Sequence, residues 1–153
     1  MFLTNFLDNP ALLADWKRYG GLETLISYGL RPPLNPTPEQ QSEVAAALRR
    51  AMPSEHFQFL QRLSPSFTCG DYFFVHAGVR PGTPLNEQRE EDLLWIRDEF
   101  LQYEGDFCKI IVHGHTPVKE VDVRANRINI DTGAYATGRL TCLAFEMTHI
   151  HSI

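Results

Sequence analysis

Up to Leu63, apolar residues recur at helical spacing. Phe2, Leu3, Phe6 and Leu7 share one face, and Leu12, Leu13 and Trp16 continue it, which places the Trp16 indole in a core. Asn9-Pro10 reads as an N-cap followed by proline at the first helical position. Gly20-Gly21 interrupts the pattern, and Leu22, Leu25 and Ile26 predict one more short helix before Gly29. Residues 1–29 therefore read as small helices wrapping a core that lies elsewhere. Pro32, Pro33, Pro36 and Pro38 make a stiff surface connection. Thr37-Pro38-Glu39-Gln40 follows the capping-box pattern and opens a surface helix to about Arg50, with Val44, Ala47 and Leu48 facing inward. Pro53 starts another, lined by Phe57, Leu60 and Leu63, with His56 exposed or beside the cap. Residues 30–63 are a helical excursion, either over the active edge of a sheet or as plain scaffold.

After Ser64-Pro65 the period changes from helical to extended. Phe67 to Cys69, the turn Gly70-Asp71, and Tyr72 to Val75 predict a hairpin or a bent strand. Residues 80–89 hold two prolines and a glycine and read as a loop; Leu93, Leu94, Ile96, Phe100 and Leu101 then form a compact helix. Lys109 to Val112 is a short buried strand. Val118–Val123 and Arg127–Ile130 form a hairpin, with Asn126 a candidate for positive φ. Asp131-Thr132-Gly133-Ala134 is a tight turn before a last strand, Gly138–Glu146. The pattern predicts an α/β chain with no domain break: 1–63 mainly helical, 64–146 sheet-rich, and 147–153 a polar tail in which His149 and His151 are surface residues.

Composition changes this picture little. A chain of 153 residues with 43% hydrophobic and 22% charged residues is ordinary for one globular domain. A net charge of -5 argues against nucleic-acid binding through the chain's own field. No apolar window is long enough for a membrane span, and the apolar start has no basic segment before it, so it does not read as a signal peptide. Cys69, Cys108 and Cys142 lack zinc-site spacing and read as free, mostly buried thiols in a reducing, cytoplasmic setting.

The chemistry gathers at two strand ends. Tyr72 to Val75 runs into His76-Ala77-Gly78, and Lys109 to Val112 runs into His113-Gly114-His115-Thr116-Pro117. A buried strand ending in a glycine turn delivers imidazoles to the carboxyl edge of a sheet, where open α/β folds collect ligands and metals. Imidazole suits zinc, iron or manganese. A two-metal hydrolase also needs carboxylates, and the one turn aspartate near that edge is Asp131.

Phe74-Val75-His76-Ala77-Gly78-Val79, Asp92-Leu93-Leu94-Trp95-Ile96-Arg97, Val112-His113-Gly114-His115-Thr116-Pro117 and Asn129-Ile130-Asp131-Thr132-Gly133-Ala134 resemble, in order and spacing, the C-terminal half of calcineurin-like metallophosphoesterases. The closest branch is that of the bacterial serine/threonine protein phosphatases, with the symmetrical diadenosine-tetraphosphatases also related. Trp16 to Gly29 resembles the segment after the Gly-Asn-His-Glu motif of these enzymes.

The resemblance implies the C-terminal portion of a four-layer α/β/β/α sandwich with mixed sheets. It implies that His76 and His115 bind the second of two divalent metals, manganese first, with iron, zinc or nickel as alternatives. Arg97 would clamp the substrate phosphoryl oxygens; by its own pattern it reads as a solvent-facing helix arginine. His113 and Asp131 would be neighbours of the site and not ligands, with Asp131 bracing its turn.

The implied substrate is a phosphorylated compound: a phosphomonoester, as for a phosphoprotein phosphatase, or alternatively diadenosine tetraphosphate. In relatives the helical excursion at 30–63 borders the cleft and bears on that choice. The family's Gly-Asp-X-His-Gly, Gly-Asp-X-X-Asp-Arg-Gly and Gly-Asn-His-Glu motifs do not occur here, so no catalytic residue is assigned and negligible hydrolysis by the chain alone is expected. Three readings follow: a truncated phosphatase, one piece of a split enzyme, or a non-catalytic structural or binding remnant. Bare sheet edges near Ile110–Val112 or Leu140–Phe145 would favour self-association.

Overall fold

The computed structural model describes residues 2–146 and 149–152, which fall into two compact units, Met1–Leu63 and Ser64–Ile153.

The first unit is helical. Helices α1 (Phe2–Asp8), α2 (Leu13–Lys17), α3 (Gly21–Ser27), α4 (Pro38–Ala51) and α5 (Ser54–Arg62) follow one another, with a 3-10 turn at Pro10–Leu12. They close a core of their own, where the sequence pattern suggests helices dependent on a core lying elsewhere. Phe6, Leu7, Leu13, Trp16, Leu25, Ala45, Leu48 and Met52 are buried together, and the Phe6 and Trp16 rings stack with centroids 4.9 Å apart. The Gly20-Gly21 break has a packing reason: a Cβ on Gly21 would lie 2.6 Å from the Trp16 ring. The capping box at α4 forms in both directions, Gln40 N–H to Thr37 Oγ1 at 3.3 Å and Thr37 N–H to Gln40 Oε1 at 2.9 Å, relieving two of the helix's unpaired donors. His56 is exposed and meets the Tyr28 hydroxyl through Nδ1 at 2.9 Å.

The second unit is a mixed α/β fold. Strands β1 (Ser66–Cys69) and β2 (Tyr72–Val75) form the expected antiparallel hairpin across Gly70-Asp71. Helices α6 (Glu90–Trp95) and α7 (Asp98–Leu101) replace the single compact helix, because the chain turns extended at Ile96. Then come β3 (Ile110–His113), β4 (Asp122–Val123), β5 (Arg127–Asn129), a short helix α8 (Ala134–Thr137), β6 (Leu143–Glu146) and β7 (His149–Ser152). The five-stranded sheet has the order β1-β2-β3-β5-β4, with β2, β3 and β5 parallel and both outer pairs antiparallel.

Side chains alternate across this sheet. Phe73 and Ile111 face a core completed by Leu93, Ile96 and Phe100 from α6–α7 and by Phe107. Tyr72 and Phe74 face the other way and meet Phe145 of β6 at ring distances of 4.6 and 5.6 Å. The unit thus has helices on one face of the sheet and the β6–β7 hairpin on the other.

Several expectations are corrected. Residues 149–152 are not a polar tail: they pair antiparallel with β6 over Leu143↔Ser152 to Glu146↔His149, while residues 147, 148 and 153 lie outside the described residues. Ile110–Val112 is no bare edge, since β3 sits between β2 and β5. The three cysteines are free but exposed, not buried. Asn126 does not take a positive φ; among described non-glycine residues Cys108 and His115 do. Asn126 is instead buried, and its Nδ2 donates to the carbonyls of Tyr103 and Gly105. No helix among the described residues is long and apolar enough to cross a membrane.

Candidate metal and phosphate site

Because β2, β3 and β5 run parallel, their carboxyl ends open on the same edge and deliver His76, His113 to His115, and Asp131 side by side. Backbone hydrogen bonds extend the ladder into the turns: Gly114 N–H to His76 O at 2.9 Å, and Ile130 N–H to His113 O at 2.9 Å.

His76 Nε2 and His115 Nδ1 are 3.0 Å apart, with the rings edge to face. His115 reaches this position with φ at +66°, a left-handed conformation that costs a non-glycine residue about 1–2 kcal/mol. The turn is held by Gly114, where a Cβ would come within 3.3 Å of Asp131 Cβ. Asp131 in turn accepts the Gly133 N–H at 2.9 Å through Oδ1. Burial lowers the affinity of His76 for a proton, opposed by the Asp131 carboxylate. His115 is lowered as well, by burial first and then by Arg97 and His76. Burial thus disfavours the charged form of both rings, and across the 3.0 Å contact one imidazole nitrogen donates and the other accepts.

His113 behaves differently. It is the last residue of β3, 2% exposed, and sets its ring edge-to-face on Phe100 at 4.8 Å. Its Nδ1 faces Gly114 O at 3.2 Å, which assigns the proton to Nδ1. Burial pushes its pKa down to about 4. Its Nε2 and that of His115 are buried without a hydrogen-bond partner. The structure therefore brings His76 and His115 together and directs His113 into the core.

Gly78 makes the His76 turn possible on the core side, since a Cβ there would lie 2.3 Å from the Phe100 ring. Arg97 sits exposed between α6 and α7, close enough that its charge bears on His115, and the Trp95 ring meets His115 edge to face at 5.6 Å.

The device that holds Arg97's segment is one that sequence reasoning missed. Arg80, read as part of a plain loop, donates Nε and Nη2 to the two carboxylate oxygens of Asp92 on α6, and Nη1 to Glu99 on α7. One guanidinium fork thereby pins both helices flanking Arg97, and it holds the Asp92 carboxyl below its ordinary range. The loop itself is stapled by Gln88, which accepts the Arg80 N–H and donates to the carbonyls of Arg80 and Thr83. A buried Arg127 was equally unforeseen. It ties β5 to the carbonyls of Leu101 and Tyr103 and lies over the Phe100 ring.

The donor set fits part of a metal site. Two imidazole nitrogens each about 2.0–2.1 Å from one ion lie roughly 3 Å apart when they subtend near a right angle, which the 3.0 Å separation allows. Among the described residues, however, no group of three or more His, Cys, Asp or Glu is placed to hold an ion. Two imidazoles would leave the remaining coordination positions to other oxygens.

No protein-family model matches the chain. Curated proteins similar to it include the asymmetrical bis(5'-nucleosyl)-tetraphosphatase PrpE of Bacillus anthracis (strain CDC 684 / NRRL 3495), 30% identical over 144 residues, covering 82% of this chain and 56% of that protein. PrpE of Bacillus cereus (strain AH187) is 29% identical over 152 residues, covering 87% and 59%. PrpE of Anoxybacillus flavithermus (strain DSM 21510 / WK1) is 49% identical over 49 residues, covering 32% and 19%. The chain spans little more than half the length of the first two. These relatives correct the expected placement: the similarity runs to asymmetrical tetraphosphatases, not to the serine/threonine protein phosphatase branch or a phosphoprotein substrate.

Proposed function

We propose that the chain supplies the histidine pair and the phosphate clamp of a metal-dependent phosphoesterase that cleaves bis(5'-nucleosyl) tetraphosphates, diadenosine tetraphosphate among them. The observation that carries this is the convergence of His76 Nε2 and His115 Nδ1 at 3.0 Å on the carboxyl edge of a parallel strand trio. Neutral imidazoles in this arrangement suit a divalent transition metal, and manganese is our first choice, with iron, zinc or nickel as alternatives. A metal bound there would polarise a phosphoryl oxygen. The protein's own part is to present two lone pairs, to brace them through Asp131 and Gly114, and to place the Arg97 guanidinium where it can hold two phosphoryl oxygens at once. Similarity to PrpE proteins supports the nucleotide class of substrate, and the free thiols support a reducing, cytoplasmic location. We take the domain itself to be part of a four-layer α/β/β/α sandwich.

Manganese titration followed by electron paramagnetic resonance tests the site directly. Weak binding is expected, reduced at least tenfold by His76→Ala and by His115→Ala but not by Arg97→Ala or His113→Phe. Equal loss in His113→Phe and His115→Ala would show that the wrong histidine of the turn was chosen.

A further inference from the structure

Beyond the histidine turn lies a groove that none of this chemistry uses. It has a volume of about 550 Å³ and is lined by Pro117, Val118, Lys119, Thr132, Tyr135 and Arg139 among others, a size within the usual range for small-molecule sites. It is built from the same two turns as the site: Pro117 is two residues beyond His115, and Thr132 directly follows Asp131. The turns are joined by the Val118 N–H donating to Asp131 O at 2.9 Å.

Three features give the groove a chemistry. Its lining contains two cations, Lys119 and Arg139, and no carboxylate, in a chain whose net charge is -5. The Arg139 guanidinium is held in place by the Lys119 carbonyl. Tyr135, on α8, lines the groove and is 89% exposed as a residue, although an aromatic ring gains most when its faces are covered. Thr132 is fixed beneath through its hydroxyl, which meets Arg139 O at 3.1 Å and Thr141 Oγ1 at 2.7 Å.

We propose that this groove is the subsite for the phosphorylated nucleoside on the far side of the scissile anhydride. Tyr135 stacks on the nucleobase, and Lys119 and Arg139 hold the distal phosphates. A base stacked on one aromatic side chain is expected to tighten binding about tenfold. The proposal rests on the phosphoesterase reading for its orientation, but binding in the groove requires no metal.

The test uses the full chain in chelator, with ATP and inorganic tripolyphosphate as probes in calorimetric titrations. ATP is expected to bind more tightly than tripolyphosphate. Tyr135→Ala should weaken ATP about tenfold while leaving tripolyphosphate within twofold, and Tyr135→Phe should restore ATP binding. Lys119→Ala combined with Arg139→Ala should weaken both probes. A wild-type preference of less than twofold for ATP, or Tyr135→Ala binding ATP as wild type does, overturns the subsite. Equal weakening of both probes by Tyr135→Ala also overturns it, because the ring would then serve only the groove's shape. Loss of manganese binding sinks the phosphoesterase reading without touching these results, so the two fail separately.

Discussion

The helical unit and the sheet unit bury very different things. Among the described residues of the helical unit, the buried side chains are apolar: Phe6, Leu7, Leu13, Trp16, Leu25, Ala45, Leu48 and Met52. In the sheet unit Asp92, His113, Asn126, Arg127, Asn129 and Thr132 are buried as well. Burying a polar group is costly unless it is bonded, and most of these are. Asp92 has Arg80, Asn126 and Arg127 hold the carbonyls of residues 101–105, and Asn129 donates to Thr116 O at 2.8 Å. The exceptions fall on imidazole nitrogens of one turn. Among the described residues, buried polarity thus belongs to the sheet unit: His113, Asn129 and Thr132 fall at or beside the strand ends that carry the candidate site, and Asn126 and Arg127, at the start of β5, tie down the segment after α7. The helical unit, with no such chemistry to position, is held by shape and caps.

The contrast can be broken first in the helical unit. Phe6→Ala removes a fully buried ring that stacks on Trp16, and the expected loss is about 3–5 kcal/mol. Hydrogen exchange should locate that loss in Met1–Leu63; an equal loss of protection in β2, β3 and β5 would mean that the two units do not differ in this way.

Acid should act on the sheet unit. His113 titrates near 4 when folded and near its ordinary 6.5 when unfolded, so the unfolded chain takes up the proton first. Stability contributed by the neutral buried ring is complete above about pH 6.5 and is lost as pH falls from there towards 4. The downward shifts of His76 and His115 act in the same direction. Urea denaturation of metal-free protein should show a loss of up to about 3 kcal/mol across that window. His113→Phe should flatten much of the slope, and an unchanged slope in that variant would assign the effect elsewhere.

The smallest effect tests the helix cap. Thr37→Ala opens the capping box at the start of α4 and is expected to cost about 1 kcal/mol. Thr37→Ser should recover most of it. A melting temperature unchanged in Thr37→Ala would show that the proline at the first helical position suffices.

The helices were legible because their determinants are local. The Thr37–Gln40 box, the glycine pair after Trp16 and the spacing of Phe6, Leu13 and Trp16 operate within a few residues. The β1–β2 hairpin and the histidine-bearing strand ends could be read from alternation and glycine turns for the same reason. His76, His113, His115 and Asp131 were named from the strand-end turns and Arg97 from motif resemblance, but the sequence could not separate the two histidines of one turn by geometry.

Tertiary structure decided that separation. His113 is the last residue of β3, and the pleat turns it onto Phe100, while His115 lies beyond the strand at a positive φ and faces His76. It also decided that residues 2–63 close their own core, that β3 is central and not an edge, and that residues 149–152 form a strand. The Arg80 fork had no local signal, because its partners lie 12 and 19 residues away. Periodicity and caps are set by nearest neighbours along the chain. Which imidazoles meet, and which cation holds two helices, depend on strands brought together from distant sequence, and only the folded sheet supplies that information.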